Sequence, residues 1–195
     1  SSINSGSGVG GNCGLYIYGI INPTAKTADI VLSKGGTNDT FNFITATCFT
    51  GTVTTSLNDA AIVRDAIDNQ GTTESTTVFT GTFGSAGNGL LAACHGQGGE
   101  MNTATNDAGL TLVLEGESGA TRGNSDGSWY NAFGTGAATD ATVTWQAANE
   151  NCGFLVELVA GGSAPTITAA GNTSPLNETW TDGDTGIQII GTGFV

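Results

Sequence analysis

Cys94 and His95 are neighbours whose types suit covalent catalysis, since a thiol and an imidazole can act as a nucleophile and its base. His95 is the only histidine in the chain, so any site that needs an imidazole must use it. The run around them, residues 87–96, predicts a buried strand, and adjacent side chains on a strand point to opposite faces. We therefore expect no catalytic residue and no enzymatic activity.

Acidic residues suggest two further chemistries, glycoside hydrolysis and calcium binding. Glu115 and Glu117 share one face of a predicted strand, as a pair of catalytic carboxylates could. Residues 124–127 and 182–184 resemble fragments of oxygen-rich calcium loops, but neither has the spaced ligands and distal glutamate of an EF-hand. Solvated charge and Asp-Gly turns explain these residues more simply, so we predict no metal site and no cofactor.

Trp129, Tyr130 and Phe133 lie close together in the glycine-rich segment 123–136. Aromatic side chains on a loop can stack on a sugar ring or on a neighbouring protein. These three residues are therefore the candidate contact or glycan-binding surface. Packing at the edge of the core is an alternative that the sequence leaves open.

Composition limits both the fold and the partners. The 195 residues include 32 glycines and only 11% charged residues, while aliphatic residues recur in short clusters, which favours many short strands joined by tight turns. The formal net charge of -13 repels polyanions, so nucleic acid and anionic membrane surfaces are poor partners. No apolar run approaches the ~20 residues that span a bilayer, so we predict no membrane insertion.

The cysteines Cys13, Cys48, Cys94 and Cys152 are widely spaced and include no CxxC pair, which argues against zinc binding and thioredoxin-like chemistry. In an oxidising compartment they allow three disulfide pairings, and in a reducing one each is a small buried apolar residue. Because each lies in or beside a predicted strand, buried thiols are slightly favoured and the disulfide state stays open.

Short apolar runs with alternating polar residues predict strands separated by glycine-rich turns. The predicted strands occupy residues 14–23, 27–36, 41–51, 72–84, 87–96, 110–118, 141–148 and 151–162, and the threonine-rich stretch 72–84 is expected to be exposed. Residues 57–71 are interpreted as a loop and a short strand, although a helix is compatible with them. Strands at this spacing predict an antiparallel β-sandwich or barrel.

The alternation also predicts which side chains face the core. Val143 and Trp145 face inward, and so do Phe154, Val156 and Leu158, whereas Glu157 faces solvent. By the same rule Leu110, Leu112 and Leu114 share one face of their strand.

The chain changes character at both ends. Residues 1–12 are rich in serine and glycine and predict a flexible linker. After Gly161 and Gly162 the composition shifts again, so we place a boundary there. The predicted domains are a linker over 1–12, a β-sandwich over 13–162 and the start of a second β module over 163–195.

Three stretches carry a resemblance to a known module: GLYIYGIINPTAKTADIVLS from Gly14, GNGLLAACHGQGG from Gly87, and ATVTWQAANENCGFLVELVAGG from Ala141. They resemble a concanavalin-like jelly-roll module of phage structural proteins and bacterial surface or secreted proteins. The resemblance covers residues 14–160 and implies an antiparallel, jelly-roll-like β-sandwich. The family pattern usually carries another pair of strands upstream, so the resemblance implies a jelly roll that is incomplete in these residues or is completed by others.

The segment from Ala164 looks like the beginning of an Ig-like IPT/TIG module, with a proline-led strand, a turn proline and the pattern G-x-x-I-x-G-x-G-F. The matching residues are Pro165, Pro175, Gly186, Ile189, Gly191, Gly193 and Phe194. Such modules are mostly spacers and contact surfaces, and the resemblance implies no catalytic residue. An Ig-like sandwich takes ~100 residues, so we expect the polypeptide to continue beyond Val195, with docking of the tail as an added strand as the alternative.

Together these resemblances imply a non-enzymatic virion structural protein, either a capsid decoration (cement) protein or a fibre subunit. It would lie on the virion surface and contact other virion proteins and further copies of itself as a homo-oligomer. The alternative is a carbohydrate-binding or adhesive module of a bacterial cell-surface or secreted protein, with host glycans as partners. A jelly-roll hydrolase is a third hypothesis, which the lack of a catalytic constellation disfavours.

Overall fold

The computed structural model of the chain describes residues 15, 17, 19, 44–69, 74–83, 87–97, 109–117, 127–135 and 138–173. Within them the elements are β1 (Ile44–Thr50), α1 (Leu57–Ala60), β2 (Ala61–Asp68), β3 (Glu74–Phe83), β4 (Gly89–Gln97), β5 (Thr111–Glu117), β6 (Gly127–Thr135), β7 (Ala138–Asn149), β8 (Asn151–Leu158) and β9 (Thr166–Thr173). The predicted all-β class is confirmed. The predicted linker 1–12, the strand at 27–36 and most of the strand at 14–23 lie outside the described residues.

The strand pairs are nested. β1 pairs with β9, β2 with β8, β3 with β7 and β4 with β6, and every pair is antiparallel. The described chain is therefore a long antiparallel ribbon that runs out to β5 and returns beside itself. β4 also pairs with β8, which joins the pair β2–β8 to the pair β4–β6 in one sheet of order β2-β8-β4-β6-β5. A ribbon rolled up in this way has the connectivity of a jelly roll.

One face of the five-stranded sheet packs against the two-stranded sheet of β3 and β7. Gly153 permits this close approach, because a Cβ at that position would come within 2.7 Å of the Phe79 ring and 2.9 Å of the Cys94 sulfur. Val143 and Trp145 are buried here, as predicted. The stretch 72–84 was expected to be exposed, but Thr77 and Phe79 of β3 are buried because they face the larger sheet. The cluster on this face contains Phe79, Leu90, Ala92, Cys94, Leu110, Tyr130, Ala132, Ala141, Val143, Trp145 and Leu155.

The other face carries a second cluster of Phe154, Val156 and Leu158, all buried as predicted. The ribbon of β1 and β9 lies on this side. Phe49 of β1 packs against Phe133 of β6, with ring centroids 5.2 Å apart. The centre of the five-stranded sheet is therefore covered on both faces, and every residue of its strand β8 is buried.

Two predicted side-chain orientations were wrong. Glu157 was expected in solvent but is 1% exposed, because β8 lies between two covered faces and its alternation has no solvent side. Leu112 does not share the environment of Leu110, which is buried, and is itself 42% exposed. Leu110 precedes β5, so the alternation within the strand does not apply to it. Within β5, the register against β6 shifts between Leu112 and Leu114, and such a bulge breaks the alternation there.

The segment beyond the predicted boundary at 162 continues into β9. This strand pairs with β1 over its full length, from Thr166 opposite Thr50 to Thr173 opposite Ile44. The connection from β8 to β9 also packs against the rest of the chain. The Gly161 amide donates to the Gly51 carbonyl at 2.7 Å, and Pro165 is buried. The described part of the segment 163–195 is therefore bound to β1. Residues 174–195 lie outside the described residues.

The region 57–71 contains the predicted short strand as β2, preceded by a single helical turn, α1, where a loop was expected. Ser56 caps this turn, its hydroxyl accepting from the Asp59 amide at 3.2 Å. Hydrogen bonds from the hydroxyls of Ser56 and then Thr55 hold the pKa of the Asp59 carboxyl below its usual value.

Gly116 marks a close approach between β5 and β6, because a Cβ at this position would overlap the indole ring of Trp129. Replacing Gly116 by alanine is expected to lower the free energy of unfolding by about 1–3 kcal/mol, since the ring or the edge strand must shift. Urea unfolding measures the change. Thr111→Ala in the same strand is the control, because Thr111 is exposed. Equal stability of the two variants would contradict the close approach.

Candidate functional site

The predicted contact surface of Trp129, Tyr130 and Phe133 lies on β6, a strand inside the five-stranded sheet and not a loop. Trp129 and Tyr130 are each 1% exposed, and Phe133 is half-buried against Phe49. Since adjacent residues on a strand point to opposite faces, Trp129 and Tyr130 belong to different faces of the sheet. Core packing, the alternative interpretation, accounts for Trp129 and Tyr130 without a ligand.

His95 and Cys94 both lie on β4, and both are buried. The sheet register places His95 opposite Cys152 of β8, and Cys94 opposite Gly153. The thiol across from the imidazole is therefore that of Cys152, a juxtaposition that only strand pairing reveals. Cys152 is 2% exposed and His95 is 7% exposed, so this structure presents neither side chain to a substrate.

The two cysteines of the five-stranded sheet, Cys94 and Cys152, lie on opposite faces of it. Cys94 belongs to the cluster beneath β3 and β7, whereas Cys152 alternates with Gly153 and so points the other way. A bond between these two sulfurs would need both side chains on one side of the sheet. Cys48 on β1 is half-buried, and burial raises the pKa of its thiol. Cys13 lies outside the described residues.

A buried carboxylate, that of Glu157, joins several elements of the described chain. Glu157 accepts from Arg64 Nε of β2 at 2.5 Å and from Asn88 Nδ2 just before β4. Asn88 Oδ1 in turn accepts from the Ala160 amide at 2.9 Å. These contacts, which we call the Glu157 clamp, join β2, β8, the start of β4 and the exit from β8. Nothing in the sequence spacing of these residues indicates the clamp.

A second polar network links the two packed sheets. Thr77 of β3 donates to Asn151 Oδ1 at 2.7 Å and accepts from Trp145 Nε1 at 2.9 Å. Asn69 Nδ2 also donates to Asn151 Oδ1, at 2.9 Å. Thr77 and Asn151 are both fully buried, so these hydrogen bonds satisfy groups that water does not reach. This arrangement is better suited to holding the two sheets together than to catalysing a reaction.

Residues 123–127, GNSDG, match the G-x-S-x-G pattern of a nucleophile elbow with Ser125 in the nucleophile position. That pattern indicates a nucleophile only where it follows a strand and opens a helix. Here Gly127 begins the strand β6, and residues 123–126 lie outside the described ranges. The structural context therefore does not match that of a nucleophile elbow.

Among the described residues, no group of three or more His, Cys, Asp or Glu side chains is arranged to hold a metal ion. Glu115 lies exposed on β5, while the calcium-loop fragments fall almost entirely outside the described ranges. The helix in the same part of the chain, α1, has 4 residues, and none there could span a bilayer.

No protein-family model, no curated protein and no solved structure matches this chain. The resemblances to a concanavalin-like module and to an IPT/TIG module therefore stay predictions. The function must be inferred from the geometry described above.

Proposed function

We propose that this chain is a non-enzymatic structural protein of a virion, either a capsid decoration (cement) protein or a fibre subunit, that acts through protein–protein contacts. The observation that carries the proposal is the burial of the side chains best suited to chemistry. His95, Cys152 and Glu157 are at most 7% exposed. Groups enclosed in this way stabilise a scaffold and are not offered to a substrate.

The construction of the roll supports a mechanical role. The central strands of its five-stranded sheet are covered on both faces, the Glu157 clamp holds strands of that sheet together, and the Thr77–Asn151 network fixes the sheet of β3 and β7 to it. Sheets whose buried polar groups are paired across layers hold their shape. A decoration or fibre subunit needs such rigidity, because it must present the same contact surface at every position of a lattice.

The net charge of the chain affects how it can associate with its partners. A formal net charge of -13 makes separate copies repel one another over about 8 Å at physiological salt, so self-association must rest on close local contact. Binding of many copies to a symmetric particle supplies that contact by multivalency. The proposed partners are therefore other capsid or fibre proteins and copies of this chain on the virion surface.

Electron microscopy of intact particles from the source, labelled with an antibody against this chain, tests the proposal. We expect label at symmetry-related positions on the particle surface. Label on the cell envelope, with unlabelled particles, would contradict the virion assignment and favour the adhesive alternative.

Activity assays test the non-enzymatic part of the proposal. The chain is expected to turn over no polysaccharide and no ester. Turnover that disappears in both His95→Gln and Cys152→Ser, with near-ultraviolet circular dichroism showing each variant folded, would show that the pair across β4 and β8 is catalytic. Glycan binding without turnover would instead support the carbohydrate-binding alternative.

A further inference from the structure

Asn88 precedes Gly89, and this is the only Asn-Gly dipeptide in the 195 residues. Because glycine has no Cβ, its backbone nitrogen can approach the preceding side-chain carbonyl closely. The Gly89 nitrogen can attack Cγ of Asn88 and lose its proton to solvent, while the Cγ–Nδ2 bond breaks and ammonia leaves. Water then opens the resulting succinimide to aspartate or isoaspartate, so an amide is replaced by a carboxylate.

The folded roll holds this dipeptide in an unreactive arrangement. Both polar atoms of the Asn88 side chain are engaged, Oδ1 by the Ala160 amide at 2.9 Å and Nδ2 by the Glu157 carboxylate. Gly89 lies in the sheet between Thr135 of β6 and Leu158 of β8. Cyclisation expels Nδ2, the atom that donates to Glu157, and therefore breaks the Glu157 clamp.

We propose that Asn88 is a deamidation site that the closed roll protects and that opening of the sheet around β4 exposes. The product then prevents closure. A carboxylate at residue 88 has no hydrogen to donate to Glu157, which is 1% exposed, and the two like charges repel at hydrogen-bond distance. The isoaspartate product also lengthens the backbone at the start of β4. This inference goes beyond the structural role proposed above and does not depend on it.

The first test compares the folded chain with the same chain in guanidinium chloride, both kept in mildly alkaline buffer. Peptide mass mapping follows the gain of one mass unit at Asn88, and isoaspartate methylation identifies the rearranged product. We expect the folded chain to react at least about 100-fold more slowly, because only open molecules react and they are a small fraction. Equal rates, or an unfolded chain that does not deamidate at Asn88, would overturn the proposal.

The second test asks whether the chain with a carboxylate at residue 88 can still form the closed sheet around β4. Asn88→Asp and Asn58→Asp each add one negative charge, but Asn58 is exposed on α1 and Asn88 is 9% exposed in the clamp. In urea unfolding, Asn88→Asp is expected to raise the unfolded-to-folded ratio at least about 30-fold and Asn58→Asp less than about threefold. Matching stabilities for the two variants would show that the deamidated chain closes normally and would overturn this part of the proposal.

Discussion

Replacing Phe154 by alanine is expected to lower the free energy of unfolding by about 3–5 kcal/mol, the range found for truncating a buried phenylalanine. Phe154 is 2% exposed and lies on β8, the strand that joins β2 to β4. Neighbours on both sides hold the sheet in place, so the space left by the ring cannot easily collapse. Equilibrium unfolding in urea, followed by tryptophan fluorescence, measures the loss.

Leu112→Ala is the matched control for this substitution. It also truncates a large apolar side chain in the same sheet, but Leu112 is on the edge strand β5 and is 42% exposed. Its cost is expected to stay within about 0.5 kcal/mol. If Phe154→Ala cost no more than Leu112→Ala, Phe154 could not lie in a closed core and the register of β8 would be wrong.

Replacing Arg64 by methionine is expected to destabilise the fold by about 2–4 kcal/mol, because it leaves the Glu157 carboxylate in the sheet without a cation. Glu157 is 1% exposed, whereas the Arg64 side chain is 37% exposed. Water that reaches the vacated Arg64 position lowers the cost below that of a fully buried pair. Urea unfolding at neutral pH, with circular dichroism as the signal, measures the difference from the parent chain.

A second substitution separates the charge from the packing of Arg64. Adding Glu157→Gln to Arg64→Met removes the stranded charge, while the glutamine side-chain oxygen can still accept from Asn88. The double variant is expected to recover at least about half of the lost stability. If it is no more stable than Arg64→Met alone, the loss comes from the arginine stem and not from the unpaired carboxylate.

Local patterns predicted many of the strands. Residues 41–51 and 110–118 contain β1 and β5, and residues 87–96 contain all of β4 except its last residue, because alternating or continuous apolar residues favour extended backbone wherever they occur. The strand within 57–71 was also recovered, although Ala60, Ala61 and Val63 are compatible with a helix. Pairing of β2 with β8 decided the outcome there, since an edge of the sheet was available to it.

The same patterns failed where the number of covered faces mattered. The alternation around Glu157 is typical of a strand with one solvent-exposed face, yet neither face of β8 is exposed. The charged residue is tolerated because Arg64 and Asn88, 93 and 69 residues away along the chain, meet it there. Segment 123–136 was likewise interpreted as a loop because of its glycines, but its aromatic residues lie on the paired strand β6.

The sequence by itself determined the all-β class, the core positions of Val143, Trp145 and Phe154, and the acidic charge, because backbone preference and side-chain hydrophobicity are local properties. Tertiary structure alone decided which strands pair, and therefore which side chains meet. Register placed Cys152 opposite His95, brought Asn88 and Arg64 to Glu157, and bound β9 to β1. Those contacts join residues distant in the chain, and their free energy depends on the simultaneous burial of several strands.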